Sequence, residues 1–178
     1  MRRLILLVTL PLYILDVVTK SWIVEHFDLH GAEQVVIPNF FWLHHTANTG
    51  IAFGMFNGAE HANLAFGLVS LAALTMFFWF YKKGLFPGAV SRFAVSLLLA
   101  GIFGNLTDRV FRAHDSGRLF AGGLMDGYVV DFLKFDLHVP FASPWPSFNV
   151  ADSCVVVAAI LLGIASFIEA PAAAKAGS

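Results

Sequence analysis

Four long apolar stretches alternate with shorter polar segments along the chain. The apolar stretches cover approximately residues 4–22, 62–81, 93–109 and 153–169. A helix needs about 20 such residues to cross the ~30 Å hydrocarbon layer of a bilayer. The pattern therefore predicts four transmembrane helices in a single integral membrane domain, residues 1–178. The third and fourth stretches are short, so we expect their polar ends to lie near or within the membrane interface.

The polar segments predict little regular structure beyond short strands. Residues 33–46 carry β-branched and aromatic side chains interrupted by Pro38 and Asn39, which predicts short strands around a turn. Residues 109–150 are rich in glycine and proline, which predicts a long loop with one or two short strands. The small-residue tail, 170–178, is predicted to be disordered.

The composition supports a membrane protein and excludes several other classes. Hydrophobic residues make up 58% of the chain and charged residues 13%, whereas a soluble domain carries about 25% charged residues. The net charge is −1, without a basic run, so no nucleic-acid partner is expected. The only adjacent histidines, His44 and His45, would point to opposite faces of a strand, so no metal site is predicted.

The first apolar stretch also has features of a secretory signal peptide, because Arg2 and Arg3 precede it. It runs directly into a segment with Asp16 and Lys20, without a small-residue cleavage site, which favours an uncleaved helix. The loop at residues 82–91 is basic and contains no acid. Positive loops remain in the cytoplasm, so both termini are predicted to be cytoplasmic.

In this topology the unusual polar residues all fall at one depth, near the outer face. They are Asp16, Lys20, Asn48, Asn105, Asp108, Arg109, Asp131, Asn149 and Asp152. A charged group beside hydrocarbon is costly unless it is paired, hydrated or functional. Their common depth predicts one site on the extracytoplasmic side.

Several of these residues also have a purely structural interpretation. Asp16 and Lys20 are spaced as a helical ion pair, and Asp152 after Asn149 is typical of a helix cap. Asp131 interrupts an apolar strand and has no comparable structural role. Two aspartates brought together cannot both ionise easily, and such a pair can act as base and acid on a peptide bond.

A second interpretation is a small transporter or channel with an outward-facing polar vestibule. A transport pathway requires polar residues through the whole depth of the bundle. The inner halves of the helices, such as residues 4–10 and 161–168, are almost wholly apolar, which disfavours this alternative.

Five motifs, which together span nearly the whole chain, resemble those of the bacterial lipoprotein signal peptidases (signal peptidase II). Asp16 and Lys20 match the motif of the first helix. The others are NTGIAFG at 48–54, GNLTDR at 104–109, VVDF at 129–132 and FNVADS at 148–153. One stretch departs from the family pattern, because residues 112–127 are longer than expected and form either a flap over the cleft or an insertion.

The resemblance implies a membrane aspartyl endopeptidase with four transmembrane helices and a small extracytoplasmic β-sheet. Its substrate would be a diacylglyceryl-modified prolipoprotein, cleaved just before the lipidated cysteine. Asp131 and Asp152 would be catalytic, and the other residues of the polar set would bind substrate or support the site. The resemblance implies no cofactor, and we expect a monomer in the bacterial inner membrane with its site near the periplasmic face.

Overall fold

A computed structural model describes residues 1–49, 62–140 and 143–169. Residues 50–54 of the NTGIAFG motif lie outside the described residues, and so does the tail at 170–178.

The described residues contain four helices that are long and apolar enough to cross a membrane. We call them the first span (Ile5–His26), the second span (Ala62–Lys82), the third span (Ala89–Phe111) and the fourth span (Val150–Ile168). The first span opens with a π-helical turn, Ile5–Thr9, and continues as α-helix. The predicted class, a helical membrane protein with a small sheet, is confirmed.

The third and fourth spans both begin earlier than the apolar pattern predicts, because polar side chains cap their first turns. Asn149 and Asp152 form a reciprocal capping box, so the helix starts at Val150 rather than at Ser153. At the other end of the bundle, the Glu169 carboxylate accepts a 2.8 Å hydrogen bond from the amide of Val90. Each of these two helices therefore includes a first turn that precedes its apolar stretch.

A three-stranded antiparallel sheet packs at one end of the bundle, in the order β1-β2-β3. Its strands are β1 (Gln34–Ile37), β2 (Phe41–Asn48) and β3 (Val129–Phe135). The hairpin β1-β2 turns at Pro38 and Asn39, as predicted from the sequence. In the β2-β3 register, Asp131 lies opposite Thr46 and Val129 opposite Asn48, which brings the Asn48 and Asp131 side chains near each other.

Small residues allow the third and fourth spans to pack closely. Ser96, Ala100 and Gly104 recur every fourth residue and are all buried. A Cβ on Gly104 would lie 2.5 Å from an Asp16 oxygen and 3.0 Å from the Ala151 side chain. This close approach brings the first, third and fourth spans together at the level of the predicted site.

Candidate active site

Asp131 lies in β3 and is 3% exposed. Its two carboxyl oxygens have different partners: Asn48 Nδ2 donates to Oδ2 at 2.9 Å, and Asn149 Nδ2 donates to Oδ1 at 2.7 Å. The side chain is therefore held by an amide from β2 and by another from the start of the fourth span.

Asp152 lies in the first turn of the fourth span and is partly exposed. Asn105 Nδ2 donates to its Oδ1 at 2.7 Å, and the Asn149 backbone amide donates to Oδ2 at 3.2 Å. The same carboxylate therefore caps the fourth span and accepts a hydrogen bond from the third span.

Asn149 connects the two aspartates. Its Nδ2 donates to Asp131, while its Oδ1 accepts a 2.8 Å hydrogen bond from the Asp152 amide. The same Nδ2 lies 3.2 Å from Asn105 Oδ1, and Asn105 in turn donates to Asp152. Asn149 is fully buried, so this amide network fixes the position of one carboxyl relative to the other.

The Asp131 carboxyl holds a proton more strongly than an exposed aspartate. Burial raises its pKa from 3.8 to about 7, and the nearby charge of Asp152 acts in the same direction. The amide donors of Asn48 and Asn149 favour the charged form but do not offset burial. Near neutral pH the pair can therefore carry one proton between two carboxyl groups.

A buried ion cluster lies beside this pair, and Asn105 contacts both. Lys20 Nζ lies 2.8 Å from Asp16 Oδ2 and 2.9 Å from Asp108 Oδ2, and it donates a 2.9 Å hydrogen bond to Asn105 Oδ1. Lys20, Asp16 and Asp108 are each 0% exposed. The side-chain oxygen of Asn105 therefore faces Lys20, and its side-chain nitrogen donates to Asp152.

Arg112 completes the cluster and was missed by sequence reasoning. Its Nε lies 2.5 Å from Asp108 Oδ1, and the side chain is 1% exposed. Two acids, Asp16 and Asp108, then balance two bases, Lys20 and Arg112. The i, i+4 spacing from Asp108 is the sequence signal that could have identified it.

The acids of this cluster also connect the site's structural elements through backbone amides. Asp16 Oδ1 accepts from the Ala151 amide at 2.8 Å, and Asp108 Oδ2 accepts from the Val130 amide at 3.2 Å. The first span is thus tied to the start of the fourth, and the third span to the strand that carries Asp131. The ion cluster supports the aspartate pair without contacting it directly.

Arg109 faces a different surface from its neighbour Asp108. Its guanidinium lies over the Phe66 ring, 4.7 Å from the ring centroid, and one of its nitrogens donates to the Asn105 carbonyl at 3.3 Å. Among the described residues, no carboxylate lies within ion-pair distance of Arg109, and its buried Nε has no partner.

A second buried polar contact, also not predicted, supports the sheet. Tyr128 and His45 are both buried, and the Tyr128 hydroxyl lies 3.1 Å from His45 Nε2. His45 Nδ1 lies 3.0 Å from the Phe27 carbonyl, so the imidazole joins the end of the first span to β2. Burial lowers the pKa of His45, which keeps the ring neutral in this role. The described residues contain no group of His, Cys, Asp or Glu side chains that could hold a metal ion.

The fold and the site define an integral membrane protein with a polar, acid-containing centre at one end of a four-helix bundle. Two solved bacterial membrane enzyme structures, obtained by the in meso method, share this fold. They superpose with TM-scores of 0.73 and 0.72, at 28% identity, over 93% of this chain and 88% and 94% of theirs.

Sequence comparison places the chain within one family. The family model for signal peptidase (SPase) II matches residues 8–168. The lipoprotein signal peptidase of Syntrophotalea carbinolica is 39% identical over 90% of this chain and 89% of its own length. That of Clostridium acetobutylicum is 34% identical over 85% of each chain. The protein belongs to the signal peptidase II family, and the predicted resemblance is confirmed.

Proposed function

We propose that this protein is an aspartyl endopeptidase that removes the signal peptide from diacylglyceryl-modified prolipoproteins. The observation that carries the proposal is the Asp131–Asn149–Asp152 arrangement, in which one buried asparagine donates to the Asp131 carboxyl from its side chain and to the Asp152 carboxyl from its backbone amide. The bond cleaved would be the peptide bond just before the lipidated cysteine. Family membership and the curated relatives named lipoprotein signal peptidase support this substrate class.

The reaction requires one proton on the pair. The ionised carboxyl takes a proton from water as the water attacks the scissile carbonyl. The protonated carboxyl donates a hydrogen bond to the developing oxyanion and then supplies a proton to the leaving amine. The raised pKa of Asp131 supports this state near neutral pH.

The remaining polar residues have supporting roles in this proposal. Asn48, Asn105 and Asn149 orient the carboxyl groups, while Lys20 and its acids hold Asn105 and the strand in place. Arg109 is the substrate-binding cation, because its guanidinium has no carboxylate partner among the described residues. No step in this mechanism uses a cofactor.

The described charges disfavour the alternative of a transporter or channel. The buried charged residues are Asp16, Lys20, Asp108, Arg109, Arg112 and Asp131. All of them lie at the end of the bundle that carries the sheet. A conducting pathway would need such groups along the full depth of the membrane.

The substrate class is tested by cleavage of a lipobox peptide with the purified protein in detergent. The peptide is offered with and without diacylglycerol on its cysteine. We expect cleavage of the lipidated peptide only, at the bond preceding the cysteine. Equal cleavage of both peptides would contradict the lipid requirement, and no cleavage by folded protein would contradict the proposed activity.

We further propose a single domain, monomeric, with both termini cytoplasmic and the site near the periplasmic face. The basic loop between the second and third spans, with Lys82 and Lys83, supports this orientation. A cysteine introduced at position 115, on the sheet side, should react with an impermeant maleimide added outside spheroplasts. Reaction only after lysis would reverse the proposed orientation.

A further inference from the structure

The segment 112–127 forms a loop that is hydrogen-bonded to the end of the third span. The amides of Phe120, Met125 and Gly127 donate to the carbonyls of Phe111, Val110 and Arg109 at 2.6, 3.1 and 3.2 Å. These carbonyls end the helix and would otherwise lack partners. The loop therefore caps the end of the third span.

A buried arginine and a glycine hold the loop in this position. Arg112 donates from one nitrogen to the Gly117 carbonyl at 2.8 Å while its Nε contacts Asp108. A side chain at Gly122 would lie 2.6 Å from the Ala113 backbone. The loop is thus packed against the same residues that support the site.

One side of this loop exposes apolar side chains. Phe120 is 76% exposed and Leu124 is 77% exposed. The Phe120 ring lies 5.3 Å from that of Phe111, the last residue of the third span, which is itself exposed. The opposite part of the loop is polar and exposed, with His114, Asp115, Ser116 and Arg118. The loop is therefore amphipathic, with exposed apolar side chains at positions 120 and 124 and exposed polar side chains at positions 114–116 and 118.

The loop also packs against the second span. A Cβ on Gly67 would lie 2.7 Å from Met125, so Met125 packs directly against that residue. Gly67 lies within the apolar part of the second span, Ala65–Lys82. The loop therefore contacts the second span through Met125 and the end of the third span through Phe120.

Two bulky residues of this loop have a sterically unfavourable backbone conformation. Phe120 and Met125 have φ values of 60° and 63°, a left-handed conformation that glycine adopts far more easily. Such a conformation persists only where surrounding contacts hold it, and here the amides of both residues are hydrogen-bonded to the end of the third span.

We propose that the turn formed by residues 120–125 is a membrane-interface anchor. Phe120 and Leu124 insert among lipid acyl chains beside the second and third spans, while Asp115 and its neighbours remain in water. The occupant is bilayer lipid, because this apolar surface is continuous through Phe120 with the exposed end of the third span and through Met125 with the second span. The insertion would hold the site end of the bundle at a fixed height in the membrane.

The test measures the surroundings of single cysteines in proteoliposomes. Cys154 is replaced by alanine, and cysteines at Phe120→Cys, Leu124→Cys and Asp115→Cys are labelled with bimane. Quenching is measured with a lipid carrying a nitroxide near the headgroup end of its acyl chain, and separately with aqueous iodide. Asp115→Cys is the matched control on the polar side of the same loop.

We expect labels at 120 and 124 to be quenched by the nitroxide lipid and to be protected from iodide several-fold relative to position 115. Equal iodide quenching at all three positions would overturn the proposal. Protection from iodide without quenching by the nitroxide lipid would also overturn it, because the turn would then be covered by protein. Two independent insertion positions keep the test informative if one variant fails to fold.

Discussion

Asn149 is the residue on which the geometry of the site depends most. It donates to Asp131, accepts from the Asp152 amide and caps the fourth span. Replacing Asn149 with aspartate would place a third carboxyl group beside those of Asp131 and Asp152. The same side chain therefore caps the fourth span and links the two aspartates.

Asp131 should make the stability of the protein depend on pH. Its pKa is raised from 3.8 to about 7, so between these values the folded protein keeps a proton that the unfolded chain releases. The free energy of unfolding is then greatest below about pH 4 on this account and falls as pH rises through 7. We expect the melting temperature of the wild type in detergent to fall more steeply between pH 5 and pH 8 than that of Asp131→Asn.

The Asp152→Asn variant is the matched comparison. Burial is the larger cause of the raised pKa and the charge of Asp152 the smaller, so this variant should retain part of the slope. Parallel melting curves for the wild type and Asp131→Asn would show that Asp131 releases its proton at its ordinary pKa.

At the scale of elements, the contact between the third and fourth spans determines whether the site forms. A Cβ on Gly101 would lie 2.5 Å from the Ala151 carbonyl oxygen and 2.6 Å from Val155. The first of these is a backbone atom, which cannot move aside cheaply. Ala151 also donates its amide to Asp16, so a displaced fourth span would disturb the ion cluster.

Gly101→Ala should therefore destabilise the protein by about 1–3 kcal/mol, the usual cost of overpacking. This corresponds to a loss of roughly 2–4 °C in melting temperature per kcal/mol for a chain of this length. Gly163→Ala in the fourth span is the control, because a Cβ there meets nothing within 4 Å. Equal melting temperatures for the two variants would contradict the close packing of these spans.

The sequence predicts these elements unevenly. Helical spacing and the membrane topology together are enough to place Asp16, Lys20 and Asp108 at one depth. The start of the third span at Ala89 depends on Glu169, which is distant in the chain, so the local apolar pattern does not reveal it. The Tyr128–His45 contact likewise joins a loop to a strand far from it in sequence.

At the scale of the whole molecule, the fold concentrates its buried charges at one end of an otherwise apolar bundle. Four elements meet there: the first, third and fourth spans and β3. Their ion cluster is neutral when Asp16 and Asp108 are ionised, so its burial leaves no net charge in the membrane. The pairing of Asp131 with Asp152 could be proposed from motifs, whereas the amide bridge through Asn149 required the three-dimensional structure.

The measurement that tests the central claim is cleavage of the lipidated lipobox peptide by Asp131→Asn and Asp152→Asn. Asp115→Asn, in the exposed part of the loop, is the control that changes charge without touching the site. Loss of a catalytic acid or base costs on the order of 10²–10⁴-fold in rate. We predict a loss of at least this size in both site variants, each still folded in detergent, and full activity in the control. Wild-type activity in either folded site variant would contradict a catalytic pair formed by Asp131 and Asp152.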